Sequence, residues 1–88
     1  MNQIEIDFVY QGNKITILCS KKDLMKDIIN KYSFKSKIEI NSVYCLYAGD
    51  KIDENSLLEK IIRADDKNKK KIEILVVPKE EKNPKQNE

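Results

Sequence analysis

The chain has no histidine, only two cysteines, two glycines and two prolines, and no apolar run approaching the ~18 residues of a membrane span. Without histidine, Ser-His and Cys-His nucleophilic catalysis are excluded, and two thiols alone cannot complete the four-ligand set of a structural zinc site. Cys19 and Cys45 each fall inside an apolar alternating run. Small buried hydrophobes are therefore expected there, ahead of a disulfide or a reactive thiol. No catalytic, cofactor-binding or metal-ligating residue is assigned, and the chain is read as a non-enzyme. The opening M-N-Q-I-E-I-D lacks the basic start and apolar core of a signal peptide, so a cytoplasmic or nuclear location without a membrane partner is expected. Seventeen Lys and Arg against fifteen Asp and Glu is too even a balance to imply a nucleic-acid or membrane-surface partner. Lys67, Lys69, Lys70 and Lys71 form a basic cluster, but no aromatic or arginine is interleaved to read a base, so a solvated loop is expected.

Eighty-eight residues make one small domain that buries roughly 60–65% of its unfolded surface, too little to enclose an ordinary active-site cavity. Its span is read as residues 1–78. Residues 79–88 are polar, carry the second proline and read as a disordered tail or a linker within a larger protein. No internal repeat is apparent. Ile4, Ile6 and Phe8 alternate with Glu5, Asp7 and Val9, and Ile15, Ile17 and Cys19 with Thr16 and Leu18, which predicts two strands. The turn signal Tyr10-Gln11-Gly12-Asn13 joins them into a hairpin. Ser20-Lys21-Lys22-Asp23 has capping-box spacing, and Leu24, Met25, Ile28, Ile29 and Tyr32 follow as the apolar stripe of a helix of about three turns. Ser33 to Ser42 has no clean period and reads as a loop tucking one or two of Phe34, Ile38 and Ile40 under a sheet.

The most informative stretch is Val43 to Ile52, V-Y-C-L-Y-A-G-D-K-I. A period of two sends Val43, Cys45 and Tyr47 to one face and Tyr44 and Leu46 to the other, so the strand is apolar on both sides. Such a strand is buried on both faces, or buried on one and used for binding on the other. Gly49 supplies the position that a tight reversal needs. Leu57, Leu58, Ile61 and Ile62 suggest one short helical turn, Arg63 to Lys71 a charged loop, and Ile72 to Val77 a last strand stopped by Pro78.

The order strand-strand-helix-strand-turn-strand, with one long helix to cover a sheet face, is an α+β, ββαββ arrangement of the β-grasp type, with the first and last strands side by side. At this point the chain resembles the ubiquitin-like family. Tyr47-Ala48-Gly49-Asp50-Lys51-Ile52-Asp53-Glu54 is similar to the family's Phe-Ala-Gly-Lys-Gln-Leu-Glu-Asp segment. Leu57 to Ile62 resembles its following leucine-to-isoleucine turn, Gly12 to Ile17 its hairpin, and Ile72 to Val77 its closing strand. The family binds receptors through a sheet patch of leucine, isoleucine, histidine and valine. The resemblance places Leu46 on the isoleucine, Leu75 on the valine and Glu73 on the histidine, and puts Gln11 at the hairpin tip where the family has leucine.

The resemblance implies a protein-protein interaction domain, monomeric and without cofactor, that binds through Tyr44, Leu46, Gly49, Glu73, Leu75 and Val77. Its implied partner is a ubiquitin-receptor-type or proteasome-related protein. Modifiers of this family end in a diglycine that threads the ligating active sites. Here no glycine follows Gly49, so a non-conjugated domain is expected. A β-grasp domain of the Ras-association or charge-driven oligomerisation kind is the alternative, with Lys14, Lys21 and Lys22 as its binding cations.

Overall fold

The computed structural model describes residues 3–79. Strands β1 (Gln3–Tyr10) and β2 (Asn13–Ser20) form the predicted hairpin. Its two-residue turn places Gln11 at φ 48° and Gly12 at φ 85°, the left-handed pair whose twist suits a tight hairpin. Helix α1 (Met25–Ser36) follows, then a 3-10 turn at Ile40–Ser42, β3 (Val43–Tyr47), β4 (Asp50–Lys51), the single-turn helix α2 (Leu58–Ile61), a second 3-10 turn at Ala64–Asp66, and β5 (Lys71–Pro78). The sheet order is β2-β1-β5-β3-β4, with β1 and β5 parallel and every other pairing antiparallel. This is the expected α+β β-grasp arrangement, with a fifth strand of two residues where four were predicted.

Inward-facing side chains of all four long strands join Met25, Ile28, Ile29 and Tyr32 of α1, with Leu58 and Ile62, in one core. Phe8 and Tyr32 stack at its centre with ring centroids 4.4 Å apart, a geometry that adds to the area both rings bury. Leu24, expected in the helix stripe, is the residue preceding α1 and is 37% exposed.

Three local expectations change for physical reasons. Ser20 remains paired with Gln3 as the last residue of β2, so Ser20-Asp23 closes the reversal out of the strand instead of capping the helix. The Ser20 amide donates to the Asp23 carboxylate at 2.9 Å, and Ser20 Oγ accepts from the Lys22 amide at 3.1 Å. The first amides of α1 are met from far along the chain: Met25 donates to the Ser56 carbonyl and Lys26 to that of Glu54, both at 2.9 Å. The chain region expected as a loop from Ser33 is helical to Ser36. It stops where Lys37 turns left-handed at φ 64° and its amide donates to the Ser33 carbonyl at 2.8 Å. Phe34, two residues past the buried Tyr32, falls on the opposite side of the helix and is 88% exposed, while Ile38 and Ile40 pack on the core. The charged loop is shorter than expected, since Lys71 begins β5.

Residues 20–29 and 53–62 turn out to share a local plan that the sequence did not suggest. Each begins with a Ser/Asp-closed turn, passes through a leucine that pairs with its counterpart (Leu24 with Leu57), and enters a helix. They cap each other: α1 donates to Ser56 and Glu54, and α2 in return donates from Leu58 to Asp23 and from Glu59 to Lys21, each at 2.9 Å. The amides left over at the start of each helix thus find their acceptors in the other segment.

Candidate functional site

The sheet face turned away from α1 carries the candidate surface, because strand alternation leaves there every residue that the core does not use. The registers align these residues in rows. One row runs Lys14-Val9-Leu75-Leu46-Lys51 across all five strands. Tyr44 and Val77 pair in the adjacent row. Beyond it on the other side lies Thr16-Asp7-Glu73, and then Leu18-Glu5-Lys71. An apolar band therefore crosses the middle of the sheet and charges border it.

Val43, Cys45 and Tyr47 are buried, while Tyr44 and Leu46 are half-buried on the open side and Leu75 is 48% exposed. Leu46, Leu75, Gly49 and Glu73 line one cleft of about 230 Å³ together with Val9 and Ala48. Ala48 at φ 55° and Gly49 at φ 90° make the tight reversal that folds β4 back against β3 and raises one wall of the cleft. Tyr44 and Val77 extend the band, and the ammonium of Lys51 lies over the Tyr44 ring, 4.9 Å from its centroid. The structure thus brings all six sequence-nominated residues onto one surface. Val9 is the member that sequence reading passed over. Its outward phase was readable in β1, but its place beside Leu75 depends on the parallel β1–β5 pairing.

The charged row holds an unexpected burial. Asp7, read from the sequence as a solvent-side residue of β1, is only 4% exposed. The Thr16 hydroxyl donates to it at 2.6 Å, and Lys71 and Lys14 approach it at 3.6 and 3.9 Å. The Thr16 hydrogen bond and these lysines hold its carboxyl below the ordinary value of 3.8, against the opposing pull of burial. Lys71 also reaches Glu5 at 3.7 Å. Both lysines are thereby drawn to β1, and Glu73 has no ion-pair partner among the described residues. Past Glu73 the 3-10 turn is tied to β3: Tyr47 Oη donates to Asp66 and accepts from the Arg63 amide at 3.1 Å. This pins one side of a shallow charged cleft of about 590 Å³ that Arg63, Asp65 and Glu73 share.

The three lysines of the charge-driven alternative are each engaged within the chain. Lys14 faces Asp7, Lys22 pairs with Glu59 at 3.4 Å, and Lys21 donates to the Lys67 carbonyl at 2.6 Å. Of the basic cluster, Lys69 pairs with Asp66 and Lys71 with Glu5 and Asp7. Both cysteines are buried and unbridged, and burial pushes each thiol up to about 11, well above the range of a reactive thiolate. Among the described residues no three His, Cys, Asp or Glu side chains are grouped to hold a metal ion, and no helix is long and apolar enough to cross a membrane. The expected tail, residues 79–88, lies outside the described residues apart from Lys79.

No family model matches the chain, and no curated protein matches its sequence. Its likeness is one of shape. A ubiquitin of Caldiarchaeum subterraneum superposes with a TM-score of 0.73 at 12% identity, covering 89% of this chain and 95% of its own. A structure described under molecular mimicry of SUMO in promoting DNA repair gives 0.71 at 15% identity, covering 88% and 92%. An Arabidopsis thaliana protein solved from evolutionary couplings and sparse NMR data gives 0.73 at 15% identity over 98% of both chains. The fold is that of the ubiquitin-like β-grasp domains.

Proposed function

We propose that this ubiquitin-like fold serves as a protein-protein interaction domain. It docks a partner on the open sheet face around Leu46 and Leu75, with Val9, Tyr44 and Val77 extending the contact and Gly49 and Glu73 at its border. The observation that carries the reading is the apolar band itself. Val9, Leu75 and Leu46 stand side by side on three adjacent strands, on the face that α1 does not cover, and they line a cleft. An apolar patch continuous across strands and rimmed by charge marks a binding surface far better than apolar residues scattered singly. The cleft of about 230 Å³ lies below the roughly 300–1,000 Å³ of small-molecule sites, so it suits one side chain of a protein partner.

The same reading makes the domain non-catalytic and monomeric, working in the cytoplasm or nucleus within a larger protein, with a ubiquitin-receptor-type or proteasome-related partner. The same reading has it act without being conjugated to other proteins. The test is a titration of isotope-labelled domain with ubiquitin-receptor domains, read by backbone amide shifts. Perturbation is expected at Leu46, Gly49 and Leu75, to be abolished by Leu46→Ala. Perturbation confined to the groove between α1 and β3, where Lys26 and Asn30 lie, would overturn the assignment.

A further inference from the structure

We propose that Glu73 makes this surface select a partner segment in which an aliphatic side chain stands next to an arginine or lysine. The inference rests on the reading of the open face as a docking surface and adds the chemistry of its occupant. The apolar cleft has one charged residue in its lining, Glu73, the others being Val9, Leu46, Ala48, Gly49 and Leu75. An apolar cavity of about 150 Å³ already holds a benzene-sized group, so a volume of about 230 Å³ seats one leucine- or isoleucine-sized side chain directly beside a carboxylate.

That carboxylate is available for a ligand. Two lysines of this face are committed elsewhere, Lys14 to Asp7 and Lys71 to Asp7 and Glu5. Lys51, at the other end of the apolar row, sits over the Tyr44 ring. The charged cleft on the far side of Glu73 adds a second carboxylate, Asp65, that also has no ion-pair partner among the described residues, while Lys69 in the same cleft is paired with Asp66. Arg63 is the one cation there outside any ion pair among the described residues. Beside the anchor cleft, then, unpaired negative charge exceeds unpaired positive charge, and the chemistry that fits is a guanidinium or ammonium carried one or two residues from the aliphatic anchor. An acidic neighbour at that position would meet like charge, which disfavours wrong partners more than the matched pair adds to affinity.

The experiment is a selection of random displayed peptides on the folded wild-type domain, on Glu73→Lys, and on the Leu46→Ala/Leu75→Ala double variant. Peptides taken by the wild type are expected to pair Leu, Ile or Val with Arg or Lys, and those taken by Glu73→Lys to carry Asp or Glu in place of the cation. A synthetic wild-type-selected peptide should bind Glu73→Lys about fivefold more weakly, the scale of an exposed ion pair turned to repulsion. Glu39→Lys, the same charge change on an exposed residue away from the cleft, should leave its affinity unchanged. Selected peptides with no cation preference, or the same preference on Glu73→Lys, overturn the proposal and leave the docking surface standing. Peptides that bind the Leu46→Ala/Leu75→Ala variant as well as wild type, or a failure to enrich any peptide on wild type, overturn the docking surface and the proposal with it.

Discussion

Ile74 and Leu75 are neighbours on β5, yet Ile74 is fully buried in the core with Ile28 and Tyr32 of α1, while Leu75 is 48% exposed on the far side of the sheet. The contrast extends across the strands. On the helix side the sheet presents a largely apolar surface, interrupted by two thiols and by the hydroxyls of Tyr10 and Tyr47, the latter held by the 3-10 turn. On the open side a single apolar band, ending in a lysine at each edge of the sheet, is flanked on one side by charged rows, one of which contains a buried aspartate. One face supplies the free energy of folding, since burial of apolar area is its largest favourable contribution. The other retains apolar area that folding alone does not cover.

The sharpest way to break this comparison is to truncate the two neighbours in turn. Ile74→Ala is expected to destabilise the domain by ~2–5 kcal/mol, as core truncations do, and Leu75→Ala by less than ~1 kcal/mol, both read from urea unfolding midpoints. Equal costs would mean that the two faces do not differ as described. Tyr47→Phe tests how the charged border is attached to the core. It keeps the buried ring but removes the hydroxyl shared by Asp66 and the Arg63 amide, and a loss of ~1–2 kcal/mol is expected. Faster amide exchange at Ala64–Asp66 should accompany it, and an unchanged stability would show that the turn is held by other contacts.

The smallest effect expected is that of Asp7→Asn, and it is a matter of pH. The Asp7 carboxyl titrates below its ordinary value in the folded chain, so its contribution is present above the unfolded value and disappears as pH falls through the folded one. Wild type should therefore lose stability between about pH 5 and about pH 2 more steeply than Asp7→Asn. Identical slopes would show that Asp7 is as solvated as its position on the open face first suggests. Asp66, lowered by the Tyr47 hydroxyl and Lys69, acts in the same direction and sets the slope that remains in the variant.

Much of this was readable in the chain. Alternation in Val43 to Tyr47 assigned each side chain to its face, and the Gln11-Gly12 turn located the first hairpin, because both signals are local and repeat within a few residues. Failures came where a local motif had a distant competitor. Ser20-Asp23 carries helix-capping chemistry, but pairing of Ser20 with Gln3 kept it in the strand, and carbonyls more than twenty-five residues away took over the helix amides. The pattern of Ser33-Phe34-Lys35-Ser36 looked irregular because only Tyr32 before it faces the core, so the last turn of α1 has no apolar stripe to announce it.

The candidate surface divides in the same way. That Leu46 shares a face with Tyr44, and Leu75 with Val77, follows from sequence alone, since a period of two is a property of the single strand. The parallel alignment of β1 with β5 joins residues some sixty-six positions apart and depends on how the whole core closes. That alignment sets Val9 beside Leu75 and brings Lys71 to Asp7, which the hairpin already places with Thr16 and Lys14, and so leaves Glu73 without an ion-pair partner among the described residues next to the apolar cleft. The apolar character of the surface was written into individual strands, whereas its charge was decided only when those strands met, because ion pairing depends on distance in space and not on order along the chain.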